Sequence, residues 1–194
     1  GGAGEASFWM PIIALHTGMR LEEIGQLQVV DIKQENNIWY FDINDFDNKK
    51  LKNKSSVRKV PVHQVVIDLG FIDYVGSLDS IQIFPLLKKD KYGNLTQNWS
   101  KWFGRCLPKI GINDSSKVFH SFRHLMKDAL RNAGVDEATS DAITGHSSTS
   151  IGRSYGVGYS LDMLSEAIQK VKYDICVDHK QRLINKVLGG ITET

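Results

Sequence analysis

HSFRHLMKDALRNAGVDEATSDAITGHSSTSIGRSY, residues 120–155, is the stretch around which this chain is organised. His120 and Arg123 are three apart and His120 and His124 four apart, so on a helix the three side chains project from neighbouring positions on one face. A cation and two imidazoles then converge. A second short helical run follows and ends at Gly145-His146, and Tyr155 comes nine residues later, near enough for both His146 and Tyr155 to reach one site. Such a set of side chains fits an oxyanion.

The order HxxRH, then GH, then Tyr is similar to that of the tyrosine recombinase (phage integrase) family, and the resemblance continues upstream. TGMRLEEIGQL, residues 17–27, resembles the family's first arginine box, and KNKSSVRKVPV, residues 52–62, resembles its lysine-bearing hairpin. Any one box is a weak signal, whereas four in order across residues 12–173 are a strong one. The resemblance implies the catalytic domain of such an enzyme: an α+β fold, mostly helical, with a small antiparallel sheet near the N-terminal third. It implies that Tyr155 attacks a scissile DNA phosphate, joins to the 3′ phosphate and releases a 5′ hydroxyl, with Lys52 of the hairpin protonating the leaving oxygen. Lys54 is the alternative acid, because the register of the segment before Arg58 is open. Glu23 and His124 are expected behind the contacting residues, Glu23 orienting Arg20. Since bond energy is conserved, neither metal nor nucleotide cofactor is implied. Double-stranded DNA is the implied partner, with self-assembly on it as a tetramer and accessory DNA-bending proteins as further partners. Relatives usually have Leu before the Gly-His pair, where Thr144 stands here.

The chemistry can be stated from the residues themselves. A phosphodiester repels nucleophiles, and more negative charge gathers on its oxygens during displacement, so fixed donors around it favour the transition state. Arg20 and Arg123 are the candidate clamp, because guanidinium forks bind phosphate bidentately and stay protonated. His120 and His146 can add hydrogen bonds to the same oxygens. A phenol with a pKa of about 10 must shed its proton during attack, and a nearby imidazole or the cationic cluster can assist. Tyr159, four residues beyond Tyr155, is the rival nucleophile, and spacing from His146 favours Tyr155. For Arg20 alone, an ordinary salt bridge with Glu23 is the competing reading, and both can hold at once.

Composition bounds the rest. With 194 residues, 41% of them hydrophobic and 24% charged, the chain can bury one good core and is not a disordered or fibrous class. A net charge of +2 does not by itself identify a nucleic-acid protein, but six of the eleven residues 49–59 are Lys or Arg. Lys49, Lys50, Arg58 and Lys59 are therefore candidates for DNA-backbone contact. Cys106 and Cys176 form no disulfide framework and read as buried thiols of a reducing compartment. No apolar run approaches the ~20 residues of a membrane span, and the expected setting is cytoplasmic and nucleoid-associated, away from the membrane. Residues 1–7 read as a linker or expression remnant, 8–175 as the catalytic domain, and 176–194 as a tail helix. Leu183, Ile184, Val187 and Leu188 of that tail have amphipathic spacing, for a partner or for the chain's own core.

Along the chain, FWMPIIAL (residues 8–15) reads as a buried helix with Pro11 in its first turn and Gly18 ending it, and Arg20 begins a second short helix. Residues 38–43 read as a strand after an Asn36-Asn37 turn and residues 57–62 as its partner, joined by the basic segment with lysines at its tip. Another helix is expected after Pro61, and residues 81–85 are a strand or simply extended. Trp99, Trp102, Phe103, Cys106 and Leu107 recur as on a core-facing helix capped by Thr96, a pattern that favours packing over base stacking. Phe122, Leu125, Met126, Ala129 and Leu130 repeat it on the helix that carries His120, Arg123 and His124. Asp136 and Ser160 are N-cap candidates for the last two helices. A metallohydrolase is disfavoured because no Glu follows His120 as an HExxH site requires. A type IB-like topoisomerase, or a non-catalytic DNA-binding module, remains the alternative class.

Overall fold

The first helix, α1 (Ala6–Thr17), turns Trp9, Met10, Ile13 and Ala14 into the core, and Gly18 ends it in the left-handed conformation at φ 64°. The computed structural model describes residues 3–47, 49–53, 56–146 and 159–173. Pro11 lies inside α1 rather than in its first turn, because the helix starts earlier than expected. Ala6, assigned to a linker by the sequence, is fully buried, and Ser7 Oγ donates to the Gly4 carbonyl at 2.7 Å. Helix α1 thus begins inside the segment read as a linker.

After α2 (Leu21–Gly25) and a 3-10 turn at Val29–Asp31, the chain forms β1 (Ile32–Glu35), β2 (Ile38–Ile43) and β3 (Arg58–Pro61). They make one antiparallel sheet in the order β1-β2-β3, with Glu35 opposite Ile38 and Ile43 opposite Arg58. Asn36 and Asn37, at φ 49° and 62°, form the two-residue turn between β1 and β2, where the left-handed conformation matches the strand twist. That turn was legible in the sequence, but β1 before it was not expected. Pro61 is tolerated because β3 is an edge strand. Residues 44–57, between β2 and β3, carry the basic run.

The helix expected after Pro61 is two, α3 (Gln64–Asp68) and α4 (Phe71–Gly76), broken at Gly70. Residues 81–85 contribute only an isolated bridge between Gln28 and Gln82. In α5 (Gln97–Cys106) Thr96 does not cap the helix: its hydroxyl and amide both donate to the Glu22 carboxylate. Trp99 packs edge-on against Phe119 with centroids 5.4 Å apart and stacks on Phe103 at 5.3 Å. Such ring pairs add about 0.5–1.5 kcal/mol each beyond their burial, and they account for the aromatic stripe as packing. Cys106, expected to be buried, is half-buried at the end of this helix.

The helix α6 (Ser121–Asn132) buries Met126 and Leu130 together with Arg123, while Leu125, expected on the apolar stripe, is exposed. α7 (Glu137–Thr144) is capped by Asp136, which accepts from Thr139 N, and α8 (Leu161–Gln169) by Ser160, which accepts from Met163 N. Leu164, Ala167, Ile168 and Val171 are buried as their spacing predicts. α1 packs on α2 and α6, and α7 and α8 pack on each other and on β3, so one core joins sheet and helices. Residues 176–194, with the expected tail helix and Cys176, lie outside the described residues.

A histidine pair is sealed in this core. His16 Nδ1 donates to the Ile12 carbonyl at 2.9 Å, and the His16 ring lies 4.8 Å from His63 and 5.4 Å from Tyr173. His63 Nδ1 accepts from Val65 N, so its Nε2 carries the proton and donates to the Val171 carbonyl at 2.9 Å. Burial pushes the His16 pKa down to about 4 against the opposing Ile12 bond, with His63 adding to the fall. A folded-state pKa below the unfolded one means stability fully present above pH ~6.5 and lost as pH falls from there towards 4. The loss is on the order of 3 kcal/mol. Urea unfolding should therefore show a midpoint that drops between pH 6.5 and 4.5, with His16→Leu flattening the drop. An equal drop in His16→Leu would contradict this assignment.

Candidate active site

Arg20 is the N-cap residue of α2, and its backbone N–H donates to Glu23 Oε2 at 2.9 Å. Its guanidinium returns to the same carboxylate, with Nη1 2.6 Å from Glu23 Oε1, and reaches Ser56 Oγ at 3.3 Å and the Gly145 carbonyl at 2.8 Å. The salt bridge and the site role expected of Arg20 are thus compatible. Glu23 is only 3% exposed and has a second partner, Arg58, whose Nη2 lies 3.0 Å from Oε2. Burial alone would raise the Glu23 pKa, but the charge and hydrogen bonds of Arg58, with those of Arg20, hold it below the ordinary carboxylate range.

Arg58 also donates from Nε to the Ile143 carbonyl at 2.9 Å and from Nη1 to the Ser56 carbonyl at 2.8 Å. It lies flat beneath Gly145, which ends α7 at φ 71°; a Cβ there would stand 2.7 Å from Arg58 Nη1 and 2.8 Å from Cζ. Glycine is required for the turn and for the close approach. His146, directly after, leaves the turn exposed.

Arg123, from the first turn of α6, is 2% exposed and donates through Nη1 to the carbonyls of Gly18 and Thr144, and Nη2 lies 2.9 Å from His146 Nδ1. An arginine only donates, so His146 Nδ1 accepts and its proton sits on Nε2. The imidazole therefore carries a defined outward donor. Its pKa is lowered by partial burial first and then by the charges of Arg123 and Lys127, which keeps the ring neutral at pH 7. Burial, with the Arg20 and Arg58 charges, pulls Arg123 down to about 10, still protonated at neutral pH. Thr144 is buried and its hydroxyl is satisfied by the Ser140 carbonyl at 2.8 Å, so it adds no unmet polar group.

His120, the N-cap residue of α6, is exposed, with its ring 5.1 Å from that of His124 in an edge-on contact. Its pKa is lowered by burial first, then by His124, Arg123, Arg20 and Lys52, whose charges all reach it. Arg20, Glu23, Arg123 and His146 are thus joined by direct contacts around the Gly145 turn, and His120, His124 and Lys52 border them. Tyr155 and Lys54 lie outside the described residues. No group of three or more His, Cys, Asp or Glu side chains among the described residues is arranged to hold a metal ion.

The basic run divides in two. Lys49, read as a DNA contact, is turned inward: its Nζ is 2.6 Å from Asp31 Oδ1 and 2.9 Å from Asn44 Oδ1, and its side chain is 7% exposed. Arg58 is likewise an interior ion-pair partner rather than a surface contact. The inward placement of both side chains has one cause, a buried carboxylate within reach. Lys50 and Lys59 stay on the surface, Lys50 Nζ near the Tyr92 carbonyl and Lys59 paired with Glu35. Sequence reading missed Ser56, which nothing in its local pattern distinguishes from Ser55, and Gln26, Asp31 and Asn44, whose roles depend on residues far along the chain.

The model of the phage integrase family matches residues 8–157, and the chain belongs to that family. Its fold is that of solved integrases and recombinases. The integrase from mycobacterium phage Brujita has a TM-score of 0.57 at 16% identity, over 94% of this chain and 57% of that one. The Tn1549 transposon integrase, solved in complex with circular intermediate DNA, has a TM-score of 0.54 at 18% identity, over 92% and 58%. The XerH site-specific recombinase bound to its difH substrate has a TM-score of 0.51 at 21% identity, over 95% and 46%. The chain thus spans little more than half the length of the first two and less than half of the third. No curated protein matches it significantly. The mostly helical α+β architecture with a small antiparallel sheet is the one its motifs imply.

The two classes of basic residue differ in energy. Arg58→Ala strips a buried carboxylate of one of its two cationic partners and should cost about 3–5 kcal/mol in urea or thermal unfolding. Lys59→Ala, which breaks a pair with both side chains about half exposed, should cost less than about 1 kcal/mol. Equal costs would contradict the division.

Proposed function

We propose that this chain is the catalytic domain of a tyrosine-type site-specific DNA recombinase, an integrase of a phage or other mobile element. The observation that carries this reading is the Arg20–Glu23–Arg58 cluster packed under Gly145, with Arg123 holding His146, in a chain of the phage integrase family. Arg20 and Arg123 supply positive charge for the phosphate, and His146 Nε2–H supplies a directed donor. The charge of Arg123 acts from beneath the site, where the low dielectric of the interior strengthens it.

The Tyr155 phenolic oxygen attacks the scissile phosphorus while the bond to the 5′ oxygen breaks. Its proton passes to His120, which is neutral because its pKa is lowered, and the departing 5′ oxygen takes a proton from the Lys52 ammonium. A 3′-phosphotyrosine and a 5′ hydroxyl result, with the phosphodiester energy stored, so that a second strand's hydroxyl can reverse the step. Double-stranded DNA is the substrate, four copies assemble on it, accessory DNA-bending proteins shape the complex, and the setting is the cytoplasm on the nucleoid. No helix among the described residues is long and apolar enough to cross a membrane.

A DNA site nicked beside the scissile phosphate loses its 5′ fragment and traps the covalent intermediate. Such a substrate should give a protein-DNA adduct on a denaturing gel with the native chain and with Tyr159→Phe, and none with Tyr155→Phe. An adduct that persists in Tyr155→Phe and disappears in Tyr159→Phe would overturn the nucleophile assignment.

A further inference from the structure

The segment that bears Lys52 is held on both sides by buried polar contacts. On the near side Gln26, itself 7% exposed, grips the backbone of Lys50 in both directions: its Nε2 donates to the Lys50 carbonyl at 3.0 Å and its Oε1 accepts from Lys50 N at 2.9 Å. One residue earlier Lys49 is locked to Asp31 and Asn44, and Asp31 uses its other oxygen to accept from Gln28 N at 2.8 Å. On the far side Ser56 is fully buried, donates from Oγ to Asn53 Oδ1 at 2.7 Å and is bonded by both Arg20 and Arg58. Lys52 and Asn53 lie between these two points.

Burying the Lys49 ammonium with a carboxylate gains little stability, because desolvation cancels much of the attraction. What such a pair fixes well is direction and register. An exposed lysine on a loose loop loses backbone and side-chain entropy each time its ammonium is brought to one atom, and a backbone held on both sides removes much of that cost in advance.

We propose that Gln26, Asp31 and Ser56 are positioning residues for Lys52: they fix the chain on either side of it so that its ammonium meets the leaving 5′ oxygen, and Ser56 ties that placement to Arg20. This rests on the assignment of Lys52 as the general acid under the proposed function. In this role the three residues act through the backbone that carries Lys52 rather than on the substrate or the reacting atoms.

The test is single-turnover cleavage of two DNA substrates, one ordinary and one with sulfur in place of the bridging 5′ oxygen, whose thiolate departs without a proton. Gln26→Ala and Ser56→Ala should slow the ordinary substrate about tenfold or more and be restored most of the way by sulfur, with DNA affinity and melting temperature near the native values. Ser56→Thr, which keeps the hydroxyl, should recover the ordinary rate. If Gln26→Ala melts below the assay temperature, Ser56→Ala gives the same readout with a smaller change. Lys52→Ala separates the two levels. When Lys52→Ala is rescued by sulfur but the Gln26 and Ser56 variants keep the full rate, or lose it equally on both substrates, the positioning role is wrong and the acid assignment stands. When Lys52→Ala is not rescued, the acid assignment fails and the positioning role with it, and rescue of Lys54→Ala instead would name the true acid.

Discussion

Glu23 is a buried carboxylate on which the guanidinium groups of Arg20 and Arg58 converge. It closes the first turn of α2 by accepting from the Arg20 backbone, and it holds the guanidinium groups of Arg20 and Arg58 on its two oxygens. Burying a lone carboxylate would cost several kcal/mol, so this position is tolerable only because both cations are present. The converse also holds. The charges of Arg20 and Arg58 lie close enough to Arg123 to lower its pKa, and Glu23 is the acid set directly between Arg20 and Arg58. Arg20, Arg58 and Arg123 outnumber Glu23 beneath the Gly145 turn, and Asp141, whose charge also reaches Arg123, is paired with Lys127.

Connectivity follows from that cluster. Arg58 reaches back from β3 to the end of α7, Arg20 reaches the same turn from α2, and Arg123 binds the carbonyl of Gly18 at the end of α1 and that of Thr144 at the end of α7. Two helix ends that would otherwise leave carbonyls unmet are thereby satisfied by arginines. The tight turn at Gly145 admits no side chain, so the guanidinium of Arg58 can lie against its backbone. His146 then emerges in one tautomer, fixed by a donor that cannot accept.

Much of this was legible in the sequence, and the parts that were not share a physical reason. Helical spacing marked the core faces of α5, α6 and α8, Asp136 and Ser160 marked two helix starts, and Asn36-Asn37 marked a turn, because each signal is decided within a few residues. Arg20, His120, Arg123 and His146 stood out in the sequence as candidates because their spacing is itself the motif. Lys49 and Arg58 were not, since a run of lysines and arginines reads alike whether a side chain meets water or a carboxylate distant in sequence. Asp31 and Glu23 decide between those fates, and only the fold brings them near. Pro11 was misplaced for a related reason: packing of Ala6 and Trp9 starts α1 early enough to carry a proline in its interior.

The central claim, that the Glu23 charge preorganises the cationic site, is tested most directly by Glu23→Gln, which keeps the shape and an acceptor for the Arg20 backbone but removes the charge. Single-turnover DNA cleavage and DNA affinity should be measured on the same preparation, below its melting temperature. The account predicts a fall in cleavage rate of about tenfold or more with little change in affinity, because orientation of the clamp is lost while net positive charge rises. A cleavage rate unchanged in Glu23→Gln would contradict it.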